Sequence, residues 1–360
     1  MATLWVGSRK GLFRYDETPL GWQVAGPPAF LAAPVTMLLD DPRDGALYVA
    51  LSHGHFGCKL HRSDDRGVTW KELPAPVFPK SDAPDAPALE LIWELVPGGP
   101  DEPGALWLGT IPGGLFRSGD QGETWALNLP LWNAPGREKW MGGGYDHPGI
   151  HSILVDPRDS AHVVLGVSTG GVWITRDRGA SWKLAGQGMR ADYLPPEMSA
   201  DPLAQDVHRL QGSNADPDRI WCQHHCSIFV SDDGGETFRE GEGMVPTAFG
   251  FAVAAHPKDR DRAWFVPGVK DECRVPKDGK LVVSTTRDGG RSFESLAQGL
   301  PQDGAWDLIY RHALAVDGSG ERLAMGSTTG NVWTSGDGGA SWQVLSATLP
   351  PVAVVAFAPG

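Results

Sequence analysis

Short apolar runs recur along the whole chain, each ended by Gly, Pro, Asp or Asn. The clearest set is Ile150 to Val155, closed by Asp156-Pro157, then Val163 to Val167, then Val172 to Thr175, with Trp182-Lys-Leu opening a fourth. Runs of this length between turn residues read as strands. The same order of segments returns several times with variable loops, and nothing in the pattern shows the longer 3.6-residue period of a helix.

One motif punctuates the repeat: Ser/Thr-x-Asp-x-Gly-x-Thr/Ser-aromatic. It appears as Ser63-Asp-Asp65-Arg-Gly67-Val-Thr69-Trp70 and returns with its Asp at 120, 177, 233, 288 and 337. The spacing, roughly 50–57 residues, is that of a four-stranded propeller blade with its loops. The hydroxyl and carboxylate can bond the backbone of their own turn, the Gly supplies positive φ, and the aromatic fills the gap to the next blade. These carboxylates are therefore read as structural.

A seventh unit is split. Leu4-Trp5-Val6-Gly7, Gly11 to Arg14 and Gly21 to Val24 match second, third and fourth strands, with a degenerate motif around Tyr15-Asp16. The missing inner strand matches Val352 to Phe357. The expectation is an all-β, seven-bladed β-propeller of four-stranded blades, one domain over 1–360, with the C-terminal strand closing the N-terminal blade. The blades are read as 3–24 plus 352–357, 34–73, 89–128, 149–185, 207–240, 249–296 and 309–346. The motifs resemble the Asp-box (BNR) repeat propellers, which include sialidases, xyloglucanases, sortilin-type receptors and a photosystem II assembly factor. That resemblance implies a fold and leaves activity to the site.

Composition narrows the partners. The formal net charge is −13 and no basic stripe offsets it, which argues against nucleic acid. No run of about 18 apolar residues suggests a membrane span. The N-terminus has no apolar signal core and four cysteines are too few for a disulfide scaffold, so a cytoplasmic protein is expected. Of the 15 Trp, those at 107, 173, 221, 264 and 333 fall on strands as packing. Trp93, Trp132, Trp140, Tyr145 and Tyr193 fall beside loops and are candidates to stack on a ligand ring.

Histidines gather at one end of the ring. Aligned on their terminal turns, the inner strands bring His151, His208 and His312 to one level, with Thr36, Leu91, Phe251 and Ala353 from the other blades. Three imidazoles at one axis could hold a divalent transition metal (Zn, Mn, Fe or Cu), with His53, His55 or His224 as further ligands. Cys222-Gln-His-His-Cys226 cannot chelate one ion as a set, because alternate strand side chains face opposite ways. Tyr145, Asp146, His225 and Arg311 are candidate catalytic groups, and Glu90, Trp93, Glu94 and His147 candidate substrate contacts.

Three functions compete. The first is a metal-dependent hydrolase or lyase on a small polar or saccharide-like substrate, for which oligogalacturonate lyases are an analogy in site design. The second is a glycoside hydrolase using two carboxyl groups roughly 5–10 Å apart, drawn from Glu90, Glu94, Asp146, Asp206, Asp271 and Glu272. Neither the Arg-Ile-Pro signature nor the arginine triad of sialidases is present. The third is a non-catalytic binding scaffold, which leaves the histidines without a purpose.

Overall fold

A computed structural model describes residues 2–80 and 86–359; the single-domain expectation over 1–360 includes a few residues outside that range. Seven four-stranded antiparallel sheets form the ring of a β-propeller. Blade 1 comprises Thr3–Ser8, Gly11–Thr18 and Gly21–Val24, and its inner strand is Val352–Phe357, paired antiparallel with Thr3–Ser8. The ring closes as the split repeat predicts. The inner strands of blades 2 to 7 are Val35–Asp40, Leu91–Pro97, Ile150–Asp156, Val207–Ser213, Gly250–Ala255 and Leu314–Val316.

The repeated Asp motif forms a closed turn. In blade 2, Ser63 Oγ donates to Asp65 Oδ1 at 2.7 Å and accepts from Gly67 N at 2.8 Å. Thr69 N and Oγ1 donate to the two Asp65 oxygens at 2.8 and 2.6 Å. The same pattern holds around Asp177, where Ser181 supplies the corresponding bonds. With both carboxylate oxygens accepting bonds, the acid form is disfavoured. The Ser181 and Thr175 bonds hold Asp177 down at about 2.

The apolar core lies between blades. One cluster joins Val164, Val172 and Ile174 of blade 4 to Leu210, Ile220 and Phe229 of blade 5. Another joins Trp221 and Val230 of blade 5 to Val253 and Phe265 of blade 6. The motif glycines are part of this seam. A Cβ on Gly67 would meet Trp5 of blade 1 at 3.0 Å, and one on Gly179 would meet Trp107 of blade 3 at 3.0 Å. Each second-strand Trp thus rests on the next blade's turn, where only glycine leaves room. Trp107, Trp221 and Trp264 are completely buried there.

Candidate functional site

Near one mouth of the channel every inner strand loses its regular pairing. The ladder jumps from Val35 to Met37, Ile92 to Glu94, Ile150 to Ser152, Val207 to Arg209 and Gly250 to Val253. The residues left out are Thr36, Trp93, His151, His208 and the pair Phe251-Ala252. Blade 1 leaves out Ala353. In blade 7 the gap is wider: Thr328 N donates to Leu308 O and Gly326 N to Ala313 O, so Ile309 to His312 lie free of the ladder. A bulge bends the strand and re-aims the extra side chain. Of these residues Thr36, Trp93, Phe251, His312 and Ala353 line a cavity at the mouth, whereas His151 and His208 are buried behind it. Alignment on the terminal turns matches six of these positions and puts Leu91 where the bulge places Trp93.

The structure does not bring the expected His151, His208 and His312 onto one ion. His151 Nε2 lies 2.8 Å from Val207 O and its Nδ1 3.0 Å from Ser152 Oγ. His208 Nδ1 lies 2.6 Å from Gly250 O. His312 Nε2 lies 3.1 Å from His151 O. The shared level is real, but each ring turns to a backbone carbonyl of another blade. Burial, then the charges of Arg311 and Arg209, push the His151 pKa well below its ordinary value.

Glu94 does not stand where a substrate contact would. It is buried below the mouth, paired with Arg209 of blade 5, and does not line the cavities above. Burial works to raise its pKa, but the charges of Arg209 and His312 prevail and hold it low.

Two cavities occupy the mouth and share Gly143, Gly144 and Arg274. One, of ≈610 Å³, is walled by Trp93, Tyr145, Phe251, Tyr310 and Arg311. The other, of ≈700 Å³, is walled by Tyr193, Asp206, His225, Phe249 and Asp271. The turn between them is built from glycine. Gly143 and Gly144 have φ of +54° and +112°, and a Cβ on Gly142 would sit 1.7 Å from Tyr145 O. This tight turn carries half-exposed Tyr145 over the first cavity, where its ring meets Trp93 edge-on at 5.1 Å.

Among the described residues, one set of three His, Cys, Asp or Glu side chains has converging ligand atoms: Asp206, His208 and His225, all within 4.8 Å of one another. His225 Nδ1 lies 3.1 Å from Asp206 Oδ2, and His208 Nε2 3.7 Å from Asp206 Oδ1. Asp206 Oδ1 is buried with no hydrogen-bond partner among the described residues. Burial pushes His208 down to about 3, so its ring is neutral. With Nδ1–H given to the Gly250 carbonyl, its Nε2 lone pair faces the orphaned oxygen. A carbonyl-anchored imidazole is how metal-binding histidines are oriented. Burial works to raise Asp206, but the His225 hydrogen bond and neighbouring imidazoles hold it far below the usual carboxylate range. Asp206 and His208 flank Val207 at the strand entry, and the bulge at His208 leaves the two side chains at one site; that Asp-x-His spacing was the available signal for a ligand pair.

The remaining candidates lie elsewhere. His224 is buried in blade 5, with Nδ1 accepting from Cys226 N at 3.1 Å and its ring edge-on to Phe229. His53 and His55 are exposed near a separate cavity with Phe30, Phe56 and His61, so neither joins the ligand set. Exposed His147 and Glu90 pair at 2.8 Å. Asp146 is exposed and lines neither mouth cavity. Trp132 is covered by Arg137, whose Cζ lies 3.4 Å from its ring centroid, and Trp140 packs buried against Trp173. Trp93, Tyr145 and Tyr193 remain as walls of the cavities.

No known family profile matches the chain. Over 317 residues it is 25% identical to an oligoxyloglucan-reducing end-specific xyloglucanase of Emericella nidulans, covering 80% of this chain and 36% of that protein. Over 331 residues it is 32% identical to a probable enzyme of the same description from Neosartorya fischeri, covering 82% and 37%. The chain thus spans little more than a third of the length of these curated relatives. An ancestral GH74 enzyme superposes with a TM-score of 0.61, at 13% identity, over 99% of this chain and 40% of that one. YCF48 from Cyanidioschyzon merolae superposes with a TM-score of 0.56, at 13% identity, over 88% and 87%. At these identities the structural likeness speaks to the fold alone.

Proposed function

We propose that the protein is a metal-assisted hydrolase acting on a small saccharide-like substrate in the twin cavities of the channel mouth. The observation that carries this is the convergence of Asp206, His208 and His225, two of them on the wall of one cavity and His208 buried behind them, with a carboxylate oxygen left unbonded. Two xyloglucanase relatives support the carbohydrate half of the reading.

Asp206, His208 and His225 would hold the ion, and three protein ligands of this kind suit a catalytic zinc-type site. Such an ion supplies Lewis-acid activation of a substrate oxygen. Half-exposed Tyr145, held against buried Trp93 by the glycine turn, offers its ring to a sugar. A pair of free carboxyl groups, the other route to glycoside hydrolysis, finds less support. Glu94 is spent in the channel, Asp271 is paired with Arg274, and Glu90 with His147.

The test is elemental analysis joined to an activity assay. Protein made without a His tag, in medium supplied with zinc, manganese, iron and copper, should carry about one transition ion per chain. It should cleave small oligosaccharides and lose that activity to a chelator. Asp206→Asn and His208→Gln should lose ion and activity together. Cleavage that survives both the chelator and these substitutions overturns the metal assignment. A metal-loaded protein that cleaves no oligosaccharide overturns the hydrolase reading.

A further inference from the structure

Arg311 is the one strongly charged group of the first cavity that sits almost wholly inside the protein, at 6% exposure. It comes from the unpaired stretch of blade 7, which pushes it toward the axis. Its Cζ lies 4.7 Å from the Trp93 ring centroid and 5.2 Å from that of Phe251, so two aromatic residues flank the guanidinium. Its Nε is buried and has no acceptor among the described residues.

The charge on this cavity's own wall is one-sided, and the carboxylate that acts on Arg311, Asp206, lies in the neighbouring cavity. The cavity wall contains Arg9, Arg274 and Arg311 and no Asp or Glu, in a chain whose net charge is −13. Arg274 is answered by Asp271. Arg311 has no such partner in contact, and burial lowers its pKa to about 10. Flanking rings stabilise a guanidinium through its faces and leave its N–H edge free. A planar fork of donors held this way matches a carboxylate better than a neutral hydroxyl pair.

We infer that the cavity takes a carboxylate-bearing ligand of monosaccharide size, its carboxylate received by Arg311 between Trp93 and Phe251. A volume of ≈610 Å³ falls in the range of roughly 300–1,000 Å³ used by small-molecule sites. The saccharide character of the ligand rests on the proposed function; the recognition of an anion rests on Arg311 alone. An acidic sugar and a free organic acid share this chemistry, and the experiment separates them.

Titration calorimetry on the purified protein with D-galacturonate, D-galactose and succinate tests it. These are a sugar acid, the same ring without the carboxylate, and a carboxylate without the ring. Galacturonate should bind about tenfold or more tightly than galactose, the worth of one charge-assisted contact. Succinate should bind weakly, and Arg311→Lys should retain part of the preference that Arg311→Gln abolishes. The comparison of ligands on the unaltered protein stands even where a variant fails to fold. Equal binding of galacturonate and galactose, or no binding of any of the three, overturns the inference and leaves hydrolysis of neutral sugars standing. Succinate binding as tightly as galacturonate through Arg311 upholds the anion site and removes the saccharide reading.

Discussion

Glu94 of blade 3 and His312 of blade 7 stand 3.4 Å apart, Oε2 to Nε2, on opposite sides of the channel. The same carboxylate pairs with Arg209 of blade 5, so three blades meet at one buried charge. Glu94→Gln should keep the shape and leave Arg209 without its counter-charge. Breaking a buried pair in this way costs about 3–5 kcal/mol. Denaturant midpoints of Glu94→Gln, and of Glu94→Gln with Arg209→Met, check this: the single variant should fall and the double should recover most of the loss. An unchanged midpoint in the single variant would show that the triad adds nothing.

Acid should unfold the ring through its turns. Asp65, Asp177 and Asp288 each have a folded pKa of about 2, lowered by their turn hydrogen bonds from an ordinary 3.8. A depressed carboxyl pKa contributes stability above its unfolded value, and that stability is lost as pH falls through the folded one. The Tm should therefore decline between about pH 4 and pH 2. Asp177→Asn should lower the Tm at neutral pH and make the acid decline shallower. A parallel pH profile in the variant would refute the link.

Glycine at the motif turn should resist substitution. Gly179 has φ of +83°, and its added Cβ would lie 2.7 Å from Asn128 Nδ2 and 3.0 Å from the buried Trp107 ring. Gly179→Ala should cost about 1–3 kcal/mol. Gly336, whose Cβ would meet nothing within 4 Å, serves as the control and should tolerate Ala almost without effect. Equal thermal midpoints for the two variants would contradict the seam.

Removing the closing strand should unfasten the ring. Val352, Val354 and Val355 are buried at 2–4% exposure, and each buried Val contributes about 1.5–3 kcal/mol. Their sum approaches the whole stability of a typical domain. Chain ended at residue 350 should unfold or aggregate on purification, as seen by light scattering and circular dichroism. A soluble monomer with the parent's spectrum and Tm would show that blade 1 holds without it.

The fold was legible because its signals are local. A motif of eight residues fixes one turn, and it recurs at near-constant spacing along the chain. The split blade followed from counting strands on either side of Tyr15-Asp16. The site was less legible because a bulge leaves no mark in composition. Ile92-Trp93-Glu94 reads as three ordinary strand residues, yet the skip at Trp93 lifts that ring to the mouth and sends Glu94 down the channel. Aligning His151, His208 and His312 found their level and missed their bonds, because the acceptors are main-chain carbonyls of other blades. In the sequence Asp206 reads only as a carboxylate, since its relation to His225 depends on how the second-to-third strand loop of blade 5 folds back. Arg311 was found as a candidate, but its lack of a partner is a property of the packed ring.

A residue skipped by the ladder contributes no main-chain pair to its sheet. Exchanging Trp93 or Phe251 for another side chain therefore alters the mouth while the main-chain ladder of each blade stays as it is. The cost of such an exchange is then one of side-chain packing, since Trp93 and Phe251 are buried, and not of a broken sheet.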